Sequence, residues 1–313
     1  MNDVIGVVLP FFSLIVLGYA IGSTHLLTAE GIKGLHVFVT YVAVPALLFR
    51  SGTLLFAGSP LDLSILAIYF GGAAASYLAA VLTLRTVFNA GLAEGALAGM
   101  AAAFSNNVLL GIPLIGALFG EPGILLAATV IAMNALALYG ISTPLIEIGQ
   151  GGHASLAKTI LGTAAALVKN PIIVGMVTGL LWGAIGLPVP GPLDTLTRLL
   201  SGAVGPCALF ALGAQLTRFR LAGELRQVSV VIVFKLMLHP ICVWLLATFV
   251  FNAAPLTTAV ATVMAALPTG VNAYILASQY NLFMARAGAA ILASTAISFA
   301  TLTMVILLLQ GAP

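Results

Sequence analysis

Apolar runs of roughly 20 residues, separated by short polar stretches, follow one another along the whole chain. A run of that length crosses the hydrocarbon of a bilayer as a helix, whereas membrane β-strands are shorter and alternate in polarity. The pattern predicts ten transmembrane helices: Val4–Gly22, Leu35–Ala57, Leu63–Phe88, Gly95–Phe119, Gly123–Ile146, Leu167–Gly186, Leu193–Leu216, Val228–Phe251, Leu256–Gln279 and Ala287–Leu309. The predicted fold class is therefore an all-α polytopic membrane protein.

Polar breaks interrupt two of these spans, the fourth and the ninth. Asparagine side chains and freed backbone groups are costly in hydrocarbon unless protein or a water-filled cavity satisfies them. Glycine and proline at the same places predict helices that unwind locally. Matched breaks in two halves of a chain point to a transporter binding site. The predicted substrate-binding residues are Asn106, Asn107, Gly111 and Pro113 in the fourth span and Pro268, Thr269, Gly270 and Asn272 in the ninth.

The two halves of the chain repeat each other. A shift of 161 residues pairs Pro10 with Pro171, Gly18 with Gly179, Gly22 with Gly183, Pro45 with Pro206 and Gly52 with Gly213. A three-residue insertion changes the shift to 164, which aligns residues 100–102 with 264–266 and brings the two breaks into correspondence. Because each half has an odd number of spans, the second half enters the membrane from the opposite side. We expect two inverted repeats, 1–146 and 167–313, joined by a linker at 147–166, with broken helices 4 and 9 crossing near the bilayer midplane.

The composition agrees with a membrane protein: 61% of residues are hydrophobic and 6% are charged, and the mean hydropathy is +1.19. The net charge of +3 forms no basic patch for nucleic acid, and the charges instead mark the sides of the membrane. Arg50 and Arg198 fall on one side, and the positive-inside rule makes the other side cytoplasmic. That second side carries Lys33, Arg85, Lys158, Lys169, Arg218, Arg220, Arg226 and Arg286. We therefore expect an inner-membrane protein with both termini outside and a cytoplasmic linker.

Residues for redox, metal or acid–base chemistry are scarce in the spans. Cys207 and Cys242 lie in apolar runs and indicate neither a disulfide nor a metal site, so no cofactor is expected. No aspartate or glutamate lies deep in a span, which disfavours a membrane enzyme and coupling through a buried carboxylate. Sodium could still bind through oxygen atoms, and the candidate ligands are Ser105, Asn106, Asn107 and Thr129.

Three further polar residues lie within spans and allow two interpretations each. Lys235 and His239, one helical turn apart, could offset the charge of an anion or take part in proton coupling. Alternatively Lys235 snorkels to the cytoplasmic headgroups and His239 is packed and neutral, which the sequence favours. Asn134, near the middle of the fifth span, either faces the site or bonds a neighbouring helix. Asn106 and Asn107 at the first break could likewise bond neighbouring helices. The matched second break favours a binding site as their role.

The breaks resemble the motifs of the auxin efflux carrier family, whose bacterial members include malonate and related organic-acid transporters. The resemblance rests on Asn106–Leu114 (NNVLLGIPL), Leu267–Ala273 (LPTGVNA) and Gln279–Asn281 (QYN), with support from Val44–Phe49 and Pro206–Gly213. Plant members have proline where Asn272 stands, threonine where Asn107 stands, and a long loop between the halves. These departures favour a prokaryotic protein.

The resemblance implies a ten-span fold similar to bile-acid sodium symporters. Spans 1, 2, 6 and 7 would form a scaffold that commonly makes a homodimer, and spans 3–5 and 8–10 would form a moving core. The expected function is secondary transport of a small organic anion, such as malonate or an auxin-like carboxylate, by elevator-type alternating access. The alternatives are a sodium-coupled symporter of bile-acid-like anions and a membrane sensor or channel on the same fold.

Overall fold

The computed structural model describes residues 2–55, 62–151 and 170–311. The helices are α1 (Asn2–Gly22), α2 (Ala29–Phe38), α3 (Val44–Leu55), α4 (Ser64–Val87), α5 (Leu92–Ala103), α6 (Ile112–Gly149), α7 (Pro171–Ile185), α8 (Gly191–Leu216), α9 (Leu225–Val233), α10 (His239–Leu245), α11 (Pro255–Ala266), α12 (Asn272–Gln279) and α13 (Met284–Gly311). The segment α6 consists of two helices that meet at a non-helical kink at Gly120, with φ 63° and ψ −155°. From residue 152 onward the predicted linker 147–166 lies outside the described residues, as do Lys158 and Lys169.

Within the described ranges, six helical segments are long and apolar enough to cross a membrane: Ala29–Thr53, Ser64–Val87, Asn107–Gly149, Gly191–Leu216, Leu225–Val250 and Met284–Leu309. Four shorter apolar helices are Val8–Gly22, Leu92–Ala103, Pro171–Ile185 and Pro255–Ala266. Each predicted span overlaps one of these segments. The structure therefore confirms the all-helical class, whereas the number of membrane crossings and their inversion stay predictions.

Three wide, π-helical turns come shortly before a proline. They are Val39–Ala43 before Pro45, Asn107–Gly111 before Pro113 and Phe234–Leu238 before Pro240. A proline ring clashes with the carbonyl four residues earlier and offers no N–H to it. In each case that carbonyl belongs to the wide turn, which makes i→i+5 bonds instead. The prolines therefore explain these three wide turns, whereas a fourth, Leu246–Val250, has no such proline.

The chain forms two compact units. The first consists of the described parts of Met1–Leu63, Val108–Ala132 and Ala166–Arg218. The second consists of the described parts of Ser64–Asn107, Met133–Ala165 and Phe219–Pro313. Spans 1, 2, 6 and 7 thus fall in the first unit, and so does the segment 108–132 from spans 4 and 5. Which unit serves as scaffold and which moves stays a prediction.

Glycines let the helices of the first unit pack with their backbones in contact, as small residues do in membrane helix pairs. A methyl group on Gly18 of α1 would lie 2.2 Å from the carbonyl oxygen of Phe210 in α8. A methyl group on Gly179 of α7 would lie 2.2 Å from the carbonyl oxygen of Phe49 in α3. Adding 161 to Gly18 and Phe49 gives Gly179 and Phe210, so the same contact occurs twice with its partners exchanged. A two-fold relation between the halves produces such an exchange, and the observation supports the predicted repeat.

We expect Gly213→Ala to destabilise the first unit because its new methyl group would lie 1.9 Å from the carbonyl oxygen of Ile15. Relief requires α1 and α8 to separate, at a cost of roughly 1–3 kcal/mol. Thermal unfolding in detergent measures the loss. Gly202→Ala is the matched control, because Gly202 lies in the same helix and has nothing within 4 Å of the added carbon. Equal unfolding temperatures for the two variants would contradict the close packing.

The second unit is built around α5. All of residues 95–103 are buried, as expected for a helix that is apolar on every side. At its start Glu94 forms an ion pair with Arg286 of α13. Arg286 also donates to the side chain of Gln227 in α9, at 2.6 Å. The pair joins two positions that the sequence assigns to the same side of the membrane.

Candidate functional site

The part of the first predicted break up to Asn107 and the second predicted break lie side by side in the second unit. After α5 the chain leaves helical geometry at Phe104, with φ −82° and ψ 107°. After α11 it does so at Leu267, with φ −61° and ψ 152°. The two extended segments run antiparallel, with Ser105 opposite Thr269. Both helices therefore end where the sequence predicts, and the broken segments pair with each other.

Two backbone hydrogen bonds hold the pair together. The Asn106 N–H donates to the Pro268 carbonyl at 2.9 Å, and the Gly270 N–H donates to the Phe104 carbonyl at 2.7 Å. A methyl group on Gly270 would lie 2.8 Å from both the Ser105 carbonyl oxygen and the Phe104 ring. Glycine is therefore required at residue 270 for the close approach.

The paired residues are counterparts in the sequence repeat. Adding 164 to Ser105 gives Thr269, its partner in the structure. The same shift pairs Asn106 with Gly270 and Phe104 with Pro268. The bond from Asn106 to Pro268 therefore corresponds to the bond from Gly270 to Phe104. Ser105 thus lies opposite its own counterpart, and the shift exchanges the two flanking hydrogen bonds, as happens about a two-fold axis.

Side chains from neighbouring helices support this backbone pair. The Thr269 hydroxyl donates to the Ala101 carbonyl at 3.0 Å, and the Thr269 N–H donates to the Ser294 hydroxyl at 3.1 Å. Ser76 bonds through its hydroxyl to the Ala102 carbonyl at 2.9 Å. The carbonyls at the end of α5, which lack partners within their own helix, are satisfied in this way.

Tyr69 of α4 connects the two polar residues of the first break. Its hydroxyl bonds to the Ser105 hydroxyl at 3.0 Å, and the Asn107 side-chain amide donates to the Tyr69 oxygen at 3.1 Å. Tyr69 is fully buried. The result is a hydrogen-bonded chain of three polar side chains in an apolar surrounding.

Three buried asparagines nevertheless have polar atoms without a partner: Asn106 Nδ2, Asn107 Oδ1 and Asn134 Oδ1. Their residues are 5%, 2% and 3% exposed. Asn134 lies four residues before Leu138 and hence on the same face of α6. Leu138 belongs to the apolar cluster that contains Ala101 and Phe104. Unpaired buried polar atoms are rare in native proteins and require an explanation.

Other predicted site residues lie elsewhere or are already bonded. Gly111 and Pro113 are buried and belong, like Thr129, to the first unit. The Thr129 hydroxyl donates to the Leu125 carbonyl of its own helix at 2.9 Å. Asn272 begins α12, and its carbonyl accepts a long bond of 3.4 Å from the Tyr139 hydroxyl. Among the predicted residues, the structure therefore brings together Ser105, Asn106, Asn107, Pro268, Thr269 and Gly270.

The snorkelling interpretation of Lys235 is wrong, and the structure confirms that His239 is packed. Both residues are fully buried. Lys235 Nζ donates to the Ala265 carbonyl at 2.6 Å and lies 3.2 Å from His239 Nδ1. The end of α11 gives the amine an acceptor inside the protein, so it need not reach the headgroups. The His239 ring also packs against Tyr69, at 5.2 Å between centroids.

Tyr69, Ser76 and Ser294 support the site, although the sequence did not predict that role for them. Ser294 could have been found from the sequence, because it forms a polar stripe at helical spacing with Thr295 and Ser298 in the tenth span. All three are buried. Tyr69 and Ser76 are isolated polar residues in the third span, where interfacial or packing roles are more common.

Paired helix breaks with unpaired amides, inside a bundle of apolar helices, are features of transport proteins. A profile of the family described as membrane transport protein matches residues 3–306. The protein is a membrane transporter, and the chain belongs to this family, which is the auxin efflux carrier family that its motifs resemble.

Relatives extend over most of the chain. A protein of Rhizobium meliloti (strain 1021) named "Putative malonate transporter" is 28% identical over 99% of this chain and 97% of its own. "Uncharacterized transporter YfdV" of Escherichia coli (strain K12) is 25% identical over 94% of both chains. The "Lysosomal cholesterol signaling protein" of Mus musculus is 26% identical over 71% of this chain and 26% of its own length. These names describe two transporters and a signaling protein, and none of them describes an enzyme.

Proposed function

We propose that the protein is a secondary transporter of a small organic anion, a mono- or dicarboxylate such as malonate. One observation carries the proposal: Asn106 Nδ2 and Asn107 Oδ1 at the paired breaks, and Asn134 Oδ1 in the same unit, are buried without partners. An unsatisfied buried polar atom costs roughly 1–3 kcal/mol. A cargo that bonds these atoms would recover that free energy in the bound state.

The hydrogen-bonded side chains of Ser105, Tyr69 and Asn107 can offer a cargo either a hydrogen-bond donor or an acceptor. As placed, the Asn107 amide donates to Tyr69 and leaves its oxygen free. Hydroxyl orientations and amide flips follow the hydrogen-bond network and exchange readily. If Asn107 flips, its oxygen accepts from the Tyr69 hydroxyl, Tyr69 accepts from Ser105, and the amide nitrogen becomes free. Asn106 and Asn107 would then offer two donors to one carboxylate without any broken bond.

Asparagine side chains carry most of this recognition, since the helix start contributes little. The N–H groups of Ala273 and Tyr274 at the start of α12 already bond to the carbonyls of Gly270 and Val271, at 3.1 and 2.9 Å. The positive end of the helix dipole still favours an anion. No aspartate or glutamate among the described residues is buried. No buried carboxylate in the described part of the chain would therefore repel an anionic cargo.

Alternating access follows the elevator scheme that the family resemblance implies. In this proposal the unit that contains the paired breaks carries the cargo, and spans 1, 2, 6 and 7 form the scaffold and the homodimer interface. The inverted repeat supplies the two accessible states, because exchanging the conformations of the halves converts one state into the other. The contacts of Gly18 and Gly179, exchanged by the repeat, support that symmetry.

The test is a thermal-shift series on the purified protein followed by uptake into proteoliposomes. A ligand that binds the folded state raises the apparent stability, by about 2.7 kcal/mol at 100 times its Kd. We expect stabilisation by malonate or a related short carboxylate, and uptake of the same labelled compound. Malonamide, which has the same length and no charge, is the matched control. Equal stabilisation by malonamide, or no stabilisation by any carboxylate, would contradict the proposed cargo class.

A membrane sensor on the same fold is the second candidate, favoured by the mouse relative named as a signaling protein. A sensor binds its ligand and moves none of it. Saturable stabilisation without uptake would replace the transporter proposal by this one.

A further inference from the structure

The repeat places two carbonyl groups in equivalent positions and gives them different donors. Ala101 and Ala265 correspond under the shift of 164, and each lies in the last turn of the helix before its break. The Ala101 carbonyl accepts from the uncharged Thr269 hydroxyl. The Ala265 carbonyl accepts from the Lys235 amine at 2.6 Å. The two halves therefore differ at this position, with a hydroxyl donor in one and an amine donor in the other.

The C-terminal end of a helix favours a cation. Its last carbonyls lack intrahelical partners and form the negative end of the helix dipole. In discontinuous transporter helices, such carbonyls coordinate coupling cations. At the end of α11, Lys235 Nζ donates a hydrogen bond to one of these carbonyls. The amine therefore occupies a position at which a free ion could bind.

Lys235 is unusual among the charged residues of the described chain. It is the one lysine, arginine, aspartate or glutamate there that is fully buried, and neither of the two described ion pairs includes it. Its described partners are the Ala265 carbonyl and His239 Nδ1. The carbonyl can only accept, and Nδ1 accepts in the tautomer that carries its proton on Nε2, so both groups have lone pairs of the kind that bind a small cation.

Lys235 is also connected to the site described above. His239 packs against Tyr69, whose hydroxyl bonds to Ser105. Ala265 lies three residues before Pro268, whose carbonyl accepts from Asn106. The amine is therefore linked through neighbouring residues to both breaks. A residue that only filled space at the edge of the unit would have no such links.

We propose that the Lys235 ammonium is a tethered cation that fills a monovalent-cation site at the end of α11. The wild-type protein then needs no sodium for its folded core or for transport. The transport part of this statement rests on the proposed function, whereas the occupancy of the site by Lys235 does not.

The experiment measures cation dependence of thermal stability without any cargo. Wild type, Lys235→Ala and Lys235→Ser are unfolded in sodium chloride, potassium chloride and choline chloride at equal ionic strength. Choline is too large to take the place of the amine. We expect the wild type to unfold at one temperature in all three salts. Both variants should be less stable in choline and gain roughly 2–4 °C with saturating sodium or potassium.

Ser76→Ala is the matched control, because it removes a buried donor from the Ala102 carbonyl without removing a charge. It should lose stability equally in all salts. Three outcomes would overturn the proposal: lysine variants that respond to no small cation, a sodium response of the wild type, or an equal response of Ser76→Ala. If Lys235→Ala does not fold in any salt, the serine variant, which adds an oxygen ligand, decides alone. Carboxylate binding by the wild type is scored separately, so either proposal can fail by itself.

Discussion

Asn106→Ala should reduce uptake of the cargo by roughly 10- to 150-fold while leaving thermal stability unchanged or slightly higher. A hydrogen bond to a charged group is worth about 1.5–3 kcal/mol, which gives this range. The Asn106 Nδ2 has no partner in the protein, so its removal breaks no bond and relieves an unsatisfied group. The backbone N–H of residue 106 keeps its bond to the Pro268 carbonyl. Initial uptake rates and unfolding temperatures of the same preparation measure both effects.

Ser142→Ala is the matched control for this variant. Ser142 is also fully buried in α6, and its hydroxyl contacts the Met100 sulfur at 3.7 Å. We expect its uptake to remain at the wild-type rate. Normal uptake by Asn106→Ala would remove Asn106 from the site. A parallel loss of stability and uptake would instead make Asn106 a structural residue.

Gly270→Ala should destabilise the second unit and abolish transport together. The new methyl group would lie 2.8 Å from the Ser105 carbonyl oxygen, so the two extended segments must separate. We expect a loss of roughly 1–3 kcal/mol from overpacking. About 1 kcal/mol more is lost for each backbone bond that opens. Thermal unfolding and proteoliposome uptake measure the two effects.

Gly140→Ala tests whether a glycine-to-alanine change in a helix is harmful by itself. Gly140 lies in α6 and has nothing within 4 Å of the added carbon. Alanine favours helix more than glycine does, by about 1 kcal/mol, so we expect unchanged or higher stability. If Gly270→Ala matched this control in stability and uptake, the close contact at the breaks would not exist in the working protein.

The positions of the breaks could be predicted from sequence because they depend on local chemistry. Proline lacks an N–H, and asparagine competes with helical hydrogen bonds, so Pro113, Pro268 and the asparagines signal the ends of helical geometry without knowledge of neighbours. Apolar run length similarly predicts helices. The four-residue spacing of Gly18 and Gly22 is typical of closely packed membrane helices, and Gly18 lies directly against the backbone of Phe210.

The partners of the breaks could not be predicted, because they depend on which side chains the tertiary fold brings together. Tyr69 lies 36 residues from Ser105 in sequence, and no local pattern distinguishes it from an interfacial tyrosine. The surroundings of Lys235 could not be predicted for a similar reason. Its sequence position, near the cytoplasmic end of an apolar span, fits snorkelling, and the carbonyl of Ala265 that satisfies it is 30 residues away.

The self-pairing of Ser105 and Thr269 bears on how the protein is divided between its two facing states. If the halves are inverted in the membrane, as proposed, this backbone looks the same to a solute arriving from either compartment. The main chain then gives neither state a lower free energy. Any difference in free energy between the two states comes from the side chains that differ between counterpart positions, above all Asn106 against Gly270 and the lysine donor against the threonine donor. Substitutions at those few positions would shift the resting state and the affinities on the two sides, whereas the direction of net flux follows the solute gradients.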